Sequence, residues 1–272
     1  MPDSAAAPPA IFVERRFGPV NWLGFWTLYT KEVRRFLKVY VQTLLAPMVT
    51  TLLYLAVFLM ALANRSGSAA GAGFSQFLAP GLIMMSMTQN AFANTSSSVT
   101  IAKTQGNIVD ILMPPLSPGE VTMALTLGGA TRGVLVGIAV AVAMLPFVPL
   151  HVENWALVLF DGVAGSLMLS TIGVIGGLWS EKFDHIAAVT NFVVMPLTFL
   201  SGTFYSIERL PGPMQALARL DPFFYMIDGF RSGFLGHGDA SAALGGLVLV
   251  GLNAALLLLC WRLVAIGYKI KG

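Results

Sequence analysis

An all-α integral membrane fold with six transmembrane helices is what this sequence predicts, on two observations. Charged residues are 11% of the 272 residues and hydrophobic ones 56%, against roughly 25% charged in ordinary soluble domains; so few charges cannot cover a water-facing surface. The apolar residues also run in long uncharged stretches instead of short amphipathic periods, which implies lipid as the solvent. No charged residue lies between Lys38 and Arg65, Arg65 and Lys103, Arg132 and Glu153, His185 and Glu208, or Asp239 and Arg262. Each interval holds the roughly 20 residues that cross about 30 Å of hydrocarbon. Spans are placed at 39–63, 77–100, 121–147, 155–179, 187–203 and 240–266. Helices alone fit, because lipid offers no partner for open backbone groups and the short-period alternation of a membrane barrel is missing.

Taken in order, residues 1–17 are rich in Ala and Pro and read as a disordered N-terminus. Residues 18–38 read as an interfacial amphipathic helix: Trp22, Phe25, Trp26 and Tyr29 recur at helical spacing, followed by Lys31, Arg34, Arg35 and Lys38. Arg34-Arg35 before an apolar run that ends in Ala61-Leu62-Ala63 imitates a cleaved leader. That run is longer than the core of a signal peptide, about 7–15 residues, and five more spans follow it. In the second span Met84, Met85 and Met87 are followed by Thr88, Gln89, Asn90, Asn94, Thr95, Ser96, Ser97, Ser98 and Thr100. Amides and hydroxyls at that density face protein or water, as hydrogen-bonding glue between helices or as the lining of a substrate conduit. In the third span Gly129, Gly133 and Gly137 share one face, a ladder that suits close helix packing. The fifth span is short and carries Pro196. Residues 204–237 read as a re-entrant helical segment before the last span, broken by Pro211, Gly212, Pro213 and Pro222 and returning to the side it left.

Lysine and arginine set the expected orientation. With both termini cytoplasmic, that side collects Arg15, Arg16, Lys31, Arg34, Arg35, Lys38, Lys103, Lys182, Arg262, Lys269 and Lys271, and the other Arg65, Arg209, Arg219 and Arg231, as the positive-inside rule requires. A net charge of +3 without a basic stripe gives no footprint for nucleic acid. The single cysteine, Cys260, excludes an intrachain disulfide and a paired-cysteine metal site. Three scattered histidines, His151, His185 and His237, form no metal or catalytic pattern, so neither a metal nor a catalytic site is expected. No lysine lies in the glycine-rich context that cradles nucleotide phosphates. A secondary transporter or channel is the alternative; its coupling charges at the midplane would have to be Arg132 and Asp161, both of which can be placed near helix ends.

Two blocks carry a family resemblance. Ser201-Gly202, Phe204-Tyr205, Leu210-Pro211, Asp221-Pro222 and Asp228-Gly229-Phe230-Arg231 resemble the C-terminal signature of ABC-2 type transport permeases. Phe77 to Leu82, with its Pro80-Gly81 step, and Asn107 to Pro115 resemble that family's second-helix start and cytoplasmic loop. Met113-Pro114-Pro115-Leu116 departs from the single proline of many members.

The resemblance implies a six-span transmembrane domain over 39–272, working as the permease subunit of an ABC exporter in the inner membrane. It implies a second copy of the chain, a separate cytoplasmic ABC ATPase that holds the ATP-Mg, no cofactor on this chain, contact with membrane lipids, and export of a drug, lipid, glycolipid or polysaccharide. Loop 103–120 takes the place of the family's coupling helix, with Asn107, Ile108, Asp110, Ile111, Leu112 and Pro114 as its coupling residues. There Ile108, Ile111 and Leu112 are expected to present an apolar knob to a groove on the ATPase, with Asp110 turned aside. Met84, Met87, Asn90 and Asn94, with Thr198 and Ser201 of the fifth span, are expected to line the conduit, and Phe204 and Tyr205 to close it as an outer gate.

Overall fold

The computed structural model describes residues 18–63 and 68–269, with the backbone alone at 62, 63, 68–72, 112 and 209; the segment expected to be disordered, 1–17, lies outside these residues. Among the described residues there are helices and turns and no strand. The helices are α1 (Trp22–Leu37), α2 (Ala46–Ala63), α3 (Ser68–Thr104), α4 (Val109–Leu112), α5 (Pro118–Met144), α6 (Trp155–Trp179), α7 (Phe183–Val189), α8 (Met195–Leu200), α9 (Gly212–Leu220), α10 (Pro222–Leu235) and α11 (Ala242–Ala265). Five helical stretches, Val41–Ala61, Pro118–Met144, Trp155–Trp179, Phe183–Leu200 and Ala242–Ala265, are long and apolar enough to cross a membrane. The chain is an all-α integral membrane protein. At 37 residues α3 is long enough for the second expected span, but its Gln, Asn, Ser and Thr content makes it less apolar than the other five.

Proline shapes two of the membrane helices in the same way. A π-helical turn, Val41–Leu45, leads into α2 just ahead of Pro47, and another, Thr190–Val194, joins α7 to α8 just ahead of Pro196. Proline cannot donate to the carbonyl four residues back and its ring crowds that carbonyl; a widened turn relieves both faults and leaves one continuous helix. The helix α5 begins on a capping box, with Ser117 and Glu120 bonded reciprocally and Pro118 at the first position.

The centre of the molecule is α3, held between α5 and α6 with α2 and α10 on its flanks. Helices in lipid gain nothing from hiding apolar surface from one another, so close packing and interhelical hydrogen bonds must hold them. The glycine ladder of α5 supplies the packing: a Cβ on Gly133 would stand 2.7 Å from the Met87 carbonyl oxygen and 3.0 Å from the Ala91 Cβ, both on α3. On α6 a Cβ on Gly173 would stand 2.6 Å from the Phe92 carbonyl, and one on Gly177 2.7 Å from the Val99 Cβ. Across these seams Thr95 donates to the Ser170 carbonyl at 2.8 Å, and Ser170 donates to the Thr126 carbonyl at 2.6 Å, so one chain of bonds ties α3, α6 and α5. Asn253 fastens α11 to α6 through the Ala164 carbonyl at 3.1 Å.

At the N-terminal end of α3 its Phe77–Leu82 segment meets the C-terminal signature. The Arg231 guanidinium on α10 is buried; it donates to the Gly202 carbonyl at 2.7 Å and the Thr203 carbonyl at 3.3 Å and lies 3.8 Å over the Phe77 ring centroid. Asp228 accepts from the backbone N–H of Asp239 and Ala240 at 2.9 and 2.8 Å, which closes the loop into α11. Gly81 is where α3 touches this assembly, since a Cβ there would stand 2.6 Å from the Thr203 carbonyl oxygen.

Gly81→Ala and Gly133→Ala should each destabilise the protein by about 1–3 kcal/mol, the usual cost of overpacking, whereas Gly251→Ala, with open space around it, should be neutral. Buried Cys260 is the chain's lone thiol, so the onset of labelling by a thiol-reactive dye on heating measures each midpoint. Equal midpoints for all three variants would show that the seams are not the constraint.

Candidate functional site

The loop after α3 is the first region to which the sequence assigns a role. Its α4 is one turn long, stopped by Pro114-Pro115, and it lies on a cluster built from Leu28 of α1, Val99 and Ala102 of α3, Val121 and Leu125 of α5, and Val264 of α11. Ile111 is buried in that cluster, 4% exposed, and Ile108 is half-buried against it. The expected apolar knob is therefore inverted at Ile111: that side chain anchors the loop to its own protomer. The side chain of Leu112 lies outside the described residues. Facing outward instead are Val109 (51% exposed) and Met113 (78%), one helical turn apart, with Asn107, Asp110 and Pro114 also exposed. The reason is local: the five surrounding helices leave an apolar hollow under α4, and a one-turn helix fills it with whichever side chain points down.

Around α4 the same end is tied by polar contacts. The Asn21 backbone N–H donates to Glu120 Oε1 at 2.5 Å and its side-chain amide to the Pro115 carbonyl at 3.1 Å, so the start of α1, the end of the loop and the start of α5 share one joint. Further along α1, Glu32 is buried; it accepts from Ser98 Oγ at 2.9 Å and pairs with Arg35 at 3.2 Å, and Arg35 donates to the Asn94 carbonyl at 2.6 Å and to Asn94 Oδ1 at 2.9 Å. Gly128 of α5 gives Glu32 room. Lys103 closes α3 onto α6 through the Leu178 and Ser180 carbonyls at 2.6 and 2.7 Å. The exposed Glu181 and Lys269 pair at 2.8 Å; that hydrogen bond holds the Glu181 carboxyl below its ordinary value and raises Lys269.

The polar face of α3 divides in two. Thr88, Thr95, Ser96, Ser98 and Thr100 are buried and bonded, the first three to carbonyls of their own helix, Thr95 also to α6, Ser98 to Glu32, and Thr100 to Ser180 at 2.8 Å. These are helix glue. Gln89 and Asn90 instead line a groove of about 460 Å³ between α2, α3 and α5, with Gln42, Thr50, Ser86 and Arg132. Of the six residues assigned to a conduit, Asn90 alone lines this groove, and Met87 lines a separate, mainly apolar cavity of about 550 Å³ between α3, α5, α6 and α10. Met84 and Met87 fill the notches left by Gly165 and Gly137, Asn94 is held by Arg35, Thr198 donates to the Val194 carbonyl at 2.7 Å, and Ser201 donates to Asp221 at 2.7 Å. All five are buried.

Phe204 and Tyr205, the expected gate, lie at the other end. Phe204 stacks between Phe58 of α2 and Phe199 of α8, with ring centroids 4.7 and 5.0 Å away, and the Tyr205 hydroxyl donates to the Phe199 and Leu200 carbonyls at 3.2 Å. Together with Asp228 and Arg231 they border a cavity of about 940 Å³. The position of Arg132 needs correcting: it lies about midway between Pro118 and Met144, so it is not near a helix end. Sequence reading missed Glu32, whose signal was a lone acid inside a basic helix, and the α6 glycines, whose Gly173-to-Gly177 spacing repeats the ladder seen on α5. Among the described residues no cluster of His, Cys, Asp or Glu could hold a metal ion.

Comparison with known proteins places this architecture. A family described as "ABC-2 type transporter" matches residues 24–235. The chain is 40% identical over 251 residues to the inner membrane transport permease YadH of Escherichia coli K12, covering 92% of this chain and 98% of that one. It is 24% identical over 241 residues to nodulation protein J of Neorhizobium galegae, covering 85% and 88%, and 25% identical over 240 residues to nodulation protein J of Rhizobium leguminosarum bv. trifolii, covering 86% of each.

In a Cys260→Ala background, cysteine at Asn90 should react with a membrane-impermeant thiol reagent, while cysteines at Met84, Asn94 and Thr198 should stay protected in the isolated protein. Labelling followed by mass spectrometry reads all four; reaction at Met84 as fast as at Asn90 would mean that α3 does not pack as described.

Proposed function

The chain belongs to the ABC-2 type transporter family, and on that premise we propose that it is the permease subunit of an ATP-driven exporter, resident in the inner membrane with both termini in the cytoplasm. It crosses six times, α3 providing the second crossing, and it works as a pair of copies driven by a cytoplasmic ABC ATPase that holds the ATP-Mg. The cargo is hydrophobic or amphipathic: a drug, a lipid, a glycolipid or a polysaccharide.

The observation that carries this reading is the loop around α4. It is anchored from within by Ile111 and offers Val109, Asp110 and Met113 outward, at the end of the bundle where Lys103, Lys182 and Lys269 gather. A motor that docks on such a platform acts on the ends of α3 and α5 together, because the loop joins them. Val109 and Met113 suit an apolar groove and Asp110 a basic side chain at its rim. α2 and the Phe183–Leu200 stretch are the apolar spans least enclosed by the rest of the chain and are read as the faces that meet the second copy. Phe204 and Tyr205 are read as the outer gate, where α2 and α8 converge.

The purified chain alone should hydrolyse no ATP, and together with its ATPase it should form a complex whose hydrolysis needs both. Val109→Asp with Met113→Asp should weaken attachment of the ATPase roughly tenfold or more, about 1.4 kcal/mol, with thermal stability kept. Ile111→Asp should lower stability itself, by burying an unpaired charge. Copurification and thermal midpoints separate the two outcomes: an exposed-face double variant that still binds and stimulates its ATPase normally would remove α4 as the coupling element.

A further inference from the structure

The groove between α2, α3 and α5 holds a charge with no answer. Arg132 projects into it from the middle of α5, and its one hydrogen bond among the described residues is from Nη2 to the neutral Asn90 Oδ1 at 3.1 Å; its buried Nε–H has no acceptor. No carboxylate lines the groove. On the adjoining α1, Glu32 is already spent on Arg35 and Ser98, and Arg35 adds a second positive charge that acts on Arg132. Gln89, which lines the groove, also carries a buried amide N–H without an acceptor. Ser86 and Thr51 are satisfied, bonded to each other at 2.7 Å, whereas Gln42 and Thr50 stand exposed at the mouth. Around these donors the wall is apolar, with Val39, Ala46, Pro47, Leu82 and Met85.

A guanidinium at this depth is costly without an anion beside it, and intramembrane charges of this kind mark ligand paths. The groove is open at the side of the bundle and is wide enough for a headgroup. Its mouth mixes Val39 and Ala46 with Gln42 and Thr50, and the apolar side chains there fit the acyl chains that follow a headgroup. We propose that this groove binds the anionic headgroup of a membrane amphiphile, with Arg132 as the counter-charge, Asn90 positioning the guanidinium, and Gln89, Gln42 and Thr50 as further partners. The inference rests on the permease reading and narrows its cargo to amphiphiles bearing a phosphate, carboxylate or sulfate.

The test uses the purified full chain in neutral detergent, titrated with phosphatidylglycerol, with phosphatidylcholine, or with inorganic phosphate, and followed by native mass spectrometry and by thermal midpoint. The wild type should retain phosphatidylglycerol at concentrations at least tenfold lower than Arg132→Gln, with Arg132→Lys in between and phosphatidylcholine indifferent to all three. Arg262→Gln, at an exposed basic residue, should match the wild type, which separates this groove from general attraction of anionic lipid to basic surface. Removing an unpaired charge should leave the Arg132→Gln midpoint equal or higher, so loss of binding cannot be charged to misfolding. Equal retention by the wild type and Arg132→Gln overturns the proposal, as does full displacement of the lipid by millimolar phosphate, which would make this a site for a soluble anion. ATPase stimulation reports on the permease reading separately: normal stimulation with no selective lipid retention sinks this inference alone.

Discussion

Everything in this fold follows from how close α3 lies to α5 and α6. A helix carrying so many hydroxyls and amides cannot face hydrocarbon, and a helix that faces only other helices needs neighbours that let its backbone in. Gly129 and Gly133 on α5 and Gly173 and Gly177 on α6 provide that room. The hydroxyls then have two places to turn, the carbonyl four residues back or a carbonyl across the seam, and Thr95 uses both. Glycine and serine or threonine are thus two halves of one solution: the first removes the side chain that would hold the helices apart, and the second bonds across the short gap that results.

Much of this could be read in advance because the membrane imposes a coarse rule on sequence. Uncharged length located α2, α5, α6, the α7 to α8 helix and α11 to within a few residues, Pro211 and Pro213 marked the start of α9, and Pro222 marked the break that separates α9 from α10. The glycines on α5 could be assigned to packing for the same reason, since a ladder on one face has few other uses. What could not be read is direction in short elements. Ile108, Ile111 and Leu112 form an apolar patch on any helical projection, yet one turn of helix carries no second face by which to tell inside from outside. The hollow beneath α4 settles Ile111, and that hollow is built by residues as distant in sequence as Leu28 and Val264. The division of the polar face of α3 into glue and groove is of the same kind: Asn90 and Asn94 sit one turn apart, and only the arrival of Arg35 from α1 distinguishes them.

The Phe77–Leu82 part of one resemblance block and the C-terminal signature turn out to be parts of one contact. Pro80-Gly81 lies in the buried portion of α3, and Gly81 has no side chain because the Thr203 carbonyl occupies that space. Thr203 is held there by Arg231, whose guanidinium is neutralised by carbonyl dipoles, the Phe77 ring and the field of Asp228. Three segments far apart in sequence therefore constrain one another's composition at a single point, which gives a physical reason for both motifs to occur together in one chain.

The contrast between Arg231 and Arg132 bears on function. Both are guanidinium groups enclosed by helices, each with a buried Nε–H that lacks an acceptor, but Arg231 has two backbone carbonyls, the Phe77 ring and the field of Asp228, and Arg132 a groove with one neutral amide. A buried cation that the fold satisfies is structural. One that the fold leaves short of acceptors is tolerated only if another partner arrives or if the site stays wet. The groove has α2 as one wall and α3 and α5 as the others, and α2 is the looser wall, exposed along most of its length and entered through the Val41–Leu45 π turn. The ends of α3 and α5 are joined by α4 and clamped to α1 through Glu32 and Asn21. Force applied at α4 would thus shift two walls of the groove as a unit against α2, which the Thr51–Ser86 bond ties to α3; the Arg132–Asn90 bond lies within the moving unit, and Gln42 and Thr50 on the third wall are the groups whose distance from Arg132 such a displacement would change.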